Sequence, residues 1–212
     1  MYDRTAEGHE LTFCVSGKLW NRSLVMVDTQ TKTEWSHILG RGMKGKLEGH
    51  QLEAIPADMV TWKSWKTEFP ETTVLALSRT RHRDYTNQFY RNPSDFVLGY
   101  RSSKQVHHCS FQHLMTRPVL NVNADDLPLV LTFDRESTSA RIFHRKLDDQ
   151  VLEFHLVAES VRDKQTDSTW DRVSGKATAG PMKGKQLKPH VAIPSYRKSW
   201  ITFHPNSVPH RP

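Results

Sequence analysis

The chain has 212 residues, a formal net charge of +7, 36% hydrophobic content, six tryptophans and nine phenylalanines, which excludes a disordered polymer and allows a buried core. No apolar run approaches the roughly 20 residues of a membrane-crossing helix, and MYDRTAEGHELTF at the start has no basic segment followed by an apolar one. Its 30 Lys and Arg are scattered singly among 23 Asp and Glu, a solvated basic surface that speaks against a nucleic-acid partner.

In chain order, ELTFCV from Glu10 reads as a short strand, with Cys14 as a small core hydrophobe. LVMVDTQTKTEWSHIL from Leu24 reads as a hairpin: a strand, a polar turn opened by Asp28, then a strand carrying Trp35. The glycines from Gly40 onward mark tight turns. DMVTWKSWKTEFP predicts a short helix with Asp58 at its cap, Trp62, Trp65 and Phe69 on one face, and Pro70 as its stop. TVLALS, DFVLGYRS and LPLVLTFD read as strands, and SFQHLMTR as a short helix. VLEFHLV from Val151 is again a strand, and SVRDKQTDSTWDRV is again a hairpin, opened by Asp163. PSYRKSWITFHP places Tyr196, Trp200 and Phe203 on one helical face before Pro205.

These elements say nearly the same thing twice. Trp35 and Trp170, Gly40 and Gly175, Gly45 and Gly180, Gly49 and Gly184, and Leu52 and Leu187 are each 135 positions apart. Upstream the offset is 141, matching Arg4 with Arg145, Leu11 with Leu152 and Phe13 with Phe154, so the first copy holds six extra residues around VSGKLWNRS. A spacing of 135 residues is too long for a solenoid. The expected architecture is α+β, strand-rich and internally duplicated, with two related halves and short helices. Residues 1–72 form the first unit, 73–142 connecting strands and a short helix, and 143–212 the second unit, together one compact domain.

The stretch from Leu11 through Leu75, with VRDKQTDSTWDRVSGKATAGPMKGKQL and PHVAIPSYRKSWITFHP, resembles the bacterial DUF3179 family, a domain of unknown function. The likeness extends over nearly the whole chain and implies no activity. In members of this type, a segment like T-Y-C-P-L-C precedes the Y-D-R that stands here at Tyr2, directly after Met1. At the corresponding strand of the second copy stand Asp134 and Ser137. The resemblance therefore implies a misplaced start, a shortened and inactive member, or a partner that supplies the missing strands. As written the chain reads as cytoplasmic; a longer native N-terminus would make it exported or membrane-anchored. A first unit without flanking strands would expose a sheet edge, at which two copies could pair as a homodimer.

Candidate chemistry is sparse. GRGMKGKL nearly spells a phosphate-binding loop, but Leu47 stands where Ser or Thr would bind magnesium, and Pro181 replaces Lys46 in the second copy. His107, His108, Cys109 and His113 in HHCSFQH have metal-ligand chemistry. The competing reading of that segment is a helix start with exposed histidines and a buried thiol. Asp28 and Asp163, with Trp35 and Trp170, are candidate ligand contacts because they recur, although turn-forming and core packing account for them too. His190 is an isolated candidate whose first-copy counterpart is Ile55. Cys14 and Cys109, with no C-x-x-C, fit two ordinary thiols in a reducing compartment. No cofactor is expected. The leading expectation is a non-catalytic protein that binds a partner or small ligand between its halves. The second is an enzyme or a thiol or metal redox protein whose active segment lies outside this sequence.

Overall fold

The computed structural model describes residues 1–57, 59–74 and 92–210. Asp58 and most of the predicted strand TVLALS lie outside them. Among the described residues, no helix is long and apolar enough to cross a membrane.

A small hairpin, β1 (Thr5–Ala6) and β2 (His9–Glu10), leads into an antiparallel meander of β3 (Phe13–Trp20), β4 (Ser23–Asp28), β5 (Glu34–Ser36) and β6 (Arg41–Lys44). Helix α1 (Trp62–Glu68) follows, and then β7 (Phe96–Arg101), β8 (Val106–Ser110) and α2 (Phe111–Thr116). A three-stranded meander of β9 (Val119–Ala124), β10 (Leu127–Asp134) and β11 (Ser139–His144) comes next. A second small hairpin, β12 (Lys146–Leu147) and β13 (Gln150–Val151), opens a second four-stranded meander of β14 (Phe154–Val157), β15 (Ser160–Asp163), β16 (Thr169–Trp170) and β17 (Ala177–Ala179). The chain returns through β18 (Ala192–Tyr196), which pairs antiparallel with β7, then α3 (Arg197–Phe203) and β19 (Val208–Pro209), parallel to β8. The result is a strand-rich α+β architecture with three short α-helices among the described residues.

The bridge from Tyr2 to Ala54 recurs from Phe143 to Pro189, and that from Arg41 to Gln51 recurs from Lys176 to Gln186. The six extra residues lengthen the β3–β4 hairpin, whose tip, Asn21 and Arg22, has φ of 48° and 64°, as a two-residue hairpin turn demands. This longer hairpin brings the Trp20 ring to 4.8 Å from the Phe203 ring of α3.

Three hydrophobic cores result. Leu98, Tyr100, Leu114, Leu129, Leu131, Phe133 and Ile142 fill the central one. Leu152, Phe154, Val161 and Trp170 fill the second unit, and Leu11, Trp35, Leu47 and Leu52 fill the first. Strand β10 belongs to two of them. Leu129, Leu131 and Phe133 face the central core, while Val130 points into the second unit. That double burial is why LPLVLTFD is a continuous apolar run instead of an alternating one.

Three expectations need correction. Cys14 is exposed, because β3 is an edge strand. Helix α1 starts at an N-cap formed by Thr61, whose side chain accepts from the Ser64 N–H, and it buries none of its residues. Trp65 therefore packs no core: its indole donates to Thr72 Oγ1 and its ring leans on Phe69. Its counterpart Trp200 is buried because it lies flat over β7 at Gly99, where a Cβ would stand 2.3 Å from the indole. Accordingly, Gly99→Ala is expected to destabilise the fold by about 1–3 kcal/mol and to move the Trp200 fluorescence, both readable in one denaturant titration.

Candidate functional site

A cavity of about 570 Å³ lies between the first meander and the sheet of β7 and β18, within the size range of small-molecule sites. Its first wall is Tyr2, Ile38, Arg41 and Gln51; its floor is Tyr100 and Arg101 of β7; its far wall is His190, Ile193, Trp200 and His204. The sheet places Arg101 at the end of β7, and the C-terminal turn of α3 sets His204 on the Trp200 ring, 4.3 Å between centroids.

No Asp or Glu among the described residues lines the cavity. Among the described residues, neither the Arg41 nor the Arg101 side chain has an ion-pair partner. The histidines and the Tyr2 phenol around them are neutral. Burial, and secondarily the Arg101 charge, pull His204 down to about 4. Burial pushes the Tyr2 phenol up to about 12 against an opposing pull from Arg101, and its hydroxyl donates to the Ile38 carbonyl at 2.6 Å. Burial also lowers His190 and His144. His190 Nε2 is 2.8 Å from the Arg101 carbonyl, and Nδ1 is 3.2 Å from His144 Nε2. A carbonyl can only accept, so His190 carries its proton on Nε2 and accepts at Nδ1 from His144. The side wall is thus a chain of neutral imidazoles, and among the described residues the formal charges lining the cavity are the two guanidiniums.

Of the five ligand candidates in the sequence, His190 alone lines this cavity. Asp28 and Asp163 are fully buried, each accepting from an indole: Trp35 Nε1 at 3.0 Å and Trp170 Nε1 at 2.8 Å. Thr31 and Thr33 in the first unit give Asp28 further donors, as Thr166 gives Asp163 in the second. These four residues hold the interiors of the two meanders.

The segment HHCSFQH does not converge, because neighbouring residues of β8 point to opposite faces. His107 stacks on the Tyr100 and His210 rings and meets Ser102 Oγ at 3.0 Å. His108 is on the other side, with Nδ1 2.8 Å from Ser207 Oγ, a hydroxyl that also accepts from the Trp200 indole. Cys109 lies in the central core, where burial pushes its thiol up to about 12. His113 sits on α2. All three histidines are buried, not exposed. Among the described residues no group of three or more His, Cys, Asp or Glu side chains is arranged to hold a metal ion. Sequence reasoning missed Tyr2, Arg41, Arg101 and His204, since nothing local distinguishes a cleft-facing arginine from a surface one.

The family model described as a protein of unknown function, DUF3179, matches residues 1–207. No curated protein and no solved structure matches the chain.

Burial alone would raise the Asp28 carboxyl, but the donors from Trp35, Thr31 and Thr33 outweigh it and hold the group below its ordinary value. A depressed carboxylate contributes stability that is complete above its unfolded value, near 4, and fades as the pH falls through the folded one. Asp28→Asn is therefore expected to cost about 1–3 kcal/mol at pH 7 and less at pH 3. Urea midpoints at the two pH values test this, and equal losses at both would sink it.

Proposed function

The chain belongs to the DUF3179 family, and we propose that it is a binding protein for a small organic anion held in the cleft between its two units. The observation that carries this reading is Arg101. Its charge is felt on both walls, by Tyr2 and by His204, without an ion-pair partner among the described residues. A guanidinium with no ion-pair partner and no lining carboxylate among the described residues suits a carboxylate or phosphate. Ile38, Ile193 and the Trp200 face offer an apolar surface for the rest of the molecule.

Holding, not turnover, is what the titratable groups suit. A general acid or base works best with a value near the working pH, whereas His204 stands at about 4 and Tyr2 at about 12. The redox alternative draws no support from Cys109, whose thiol stays protonated in the core.

In this reading the units are two copies of one ancestral fold, residues 1–72 and 143–212, with residues 73–142 between them in one compact domain. The copies have diverged where they meet the cleft. The second contributes His190, Trp200 and His204 where the first has Ile55, Trp65 and Phe69.

A thermal-shift panel of small carboxylates and phosphates beside their neutral amide and alcohol analogues tests the proposal. Anions are expected to raise the unfolding midpoint, and Arg101→Ala to lower their affinity at least about tenfold while leaving the unliganded midpoint in place. Carboxylate affinity is expected to be flat from pH 6 to 8, since neither the carboxylate nor His204 nor Tyr2 titrates there. Neutral analogues that bind equally well, or an Arg101→Ala protein that binds as before, would refute it.

A further inference from the structure

Successive residues of a strand face opposite sides, and β7 and β8 use the two sides differently. Leu98, Tyr100 and Cys109 enter the central core. Val97, His108 and Ser110 point the other way, where they line a second pocket of about 290 Å³ together with Gln112 of α2, Arg197 of α3 and Pro209 of β19. This pocket shares no residue with the cleft, and no Asp or Glu among the described residues lines it.

The pocket holds hydrogen-bond donors without acceptors. His108 is only 7% exposed, and its Nδ1 lies 2.8 Å from Ser207 Oγ. That oxygen accepts from the Trp200 indole at 2.9 Å, so the hydroxyl gives its own proton to Nδ1, and the imidazole carries its proton on Nε2. Among the described residues this N–H has no partner, and it is open to the pocket. Arg197 stands close enough to lower the His108 titration, second only to burial. No carboxylate among the described residues pairs with its guanidinium. Ser110 Oγ accepts from the His113 N–H at 3.1 Å, which leaves its hydroxyl proton to be given. An exposed arginine by itself is answered by water and needs no ligand. His108 differs, because the chain from Trp200 through Ser207 fixes its ring and so aims its one outward N–H before anything binds.

We propose that this pocket binds a phosphoryl group, as free phosphate or as the head of a phosphate monoester, through the Arg197 guanidinium, the His108 Nε2–H and the Ser110 hydroxyl. The three donors belong to α3, to the middle of β8 and to its end, so they approach from different directions. A guanidinium fork takes two oxygens side by side. A planar carboxylate would be used up by that fork and leave His108 unanswered, whereas a tetrahedral anion keeps a third oxygen for the imidazole. The volume, at the lower limit for organic ligands, holds such a head group with any ester substituent directed to solvent. This inference does not rest on the reading of the cleft, which uses other residues.

The probes are inorganic phosphate, phenyl phosphate and acetate, titrated at neutral pH into the isotope-labelled full chain, with the His108 ring nitrogens and the Trp200 indole N–H followed by NMR. Phosphate is expected to shift both saturably. Phenyl phosphate that binds at least as well supports the monoester as the occupant, and phosphate that binds without it supports the free ion. Arg197→Ala, at an exposed position with no ion pair among the described residues, is expected to leave the unliganded unfolding midpoint in place and to weaken phosphate at least about tenfold. Lys198→Ala, next to it but outside the pocket, and Arg101→Ala in the cleft are expected to change nothing here, so a failure of either proposal is told apart from a failure of the other. Acetate that binds as well as phosphate would overturn the proposal, as would His108 shifts that never saturate. Equal losses from Arg197→Ala and Lys198→Ala would do the same, since the protein would then offer only a general basic surface.

Discussion

A carboxylate with no access to water has to be fully answered by donors, and in this protein two of them organise everything around them. Asp28 takes the Trp35 indole, the Thr31 hydroxyl and the Thr33 N–H. Thr33 then turns its own hydroxyl to the Leu47 N–H, which draws the Gly-rich stretch across the sheet. The stretch passes so close that a Cβ on Gly45 would stand 2.8 Å from the Thr33 backbone. The second meander has the same contacts: Asp163 holds Trp170, Ser168 Oγ accepts from the Met182 N–H, and a Cβ on Gly180 would stand 2.7 Å from the Ser168 backbone. Turn, tryptophan and glycine are thus one device, and Gly45 and Gly180 stand where the backbone passes too close for a Cβ.

That device is local in sequence, which is why so much of it could be read there. The hairpins opened by Asp28 and Asp163 and the helix after Ser110 rest on neighbours within about ten residues. What could not be read depends on distant partners. Trp65 and Trp200 occupy matching helices, but only Trp200 has a strand with glycine beneath it. Cys14 has the strand context of a core residue, and only the sheet order reveals it as an edge. The cleft joins Tyr2 to Arg101 and His204, and no period or motif links positions so far apart.

Arginine shows most plainly how context decides role. Arg4 and Arg145 follow the same small-hairpin logic, each with its carbonyl bonded to the N–H of a leucine, Leu11 or Leu152. One guanidinium lies against solvent beside Glu10, and the other is enclosed and answered by main-chain carbonyls and Asn123. The residue and its local geometry are shared; what differs is whether β9 and β10 lie above it. The two units thus differ less in their own residues than in what is laid across them.

Strand β10 carries a consequence for how order is lost. Because its two faces serve two cores, the central sheet and the second unit share one wall, and opening either exposes apolar surface of both. Sharing that wall is expected to make them open together, as one cooperative block. The first unit has its own small core, with Tyr2, Phe13 and Met26 packed loosely at its margin. Its amides are the ones that a local fluctuation can release. Among the described residues, packing alone predicts a graded stability, firmer where strands are shared between cores than in the first meander, which has its own small core.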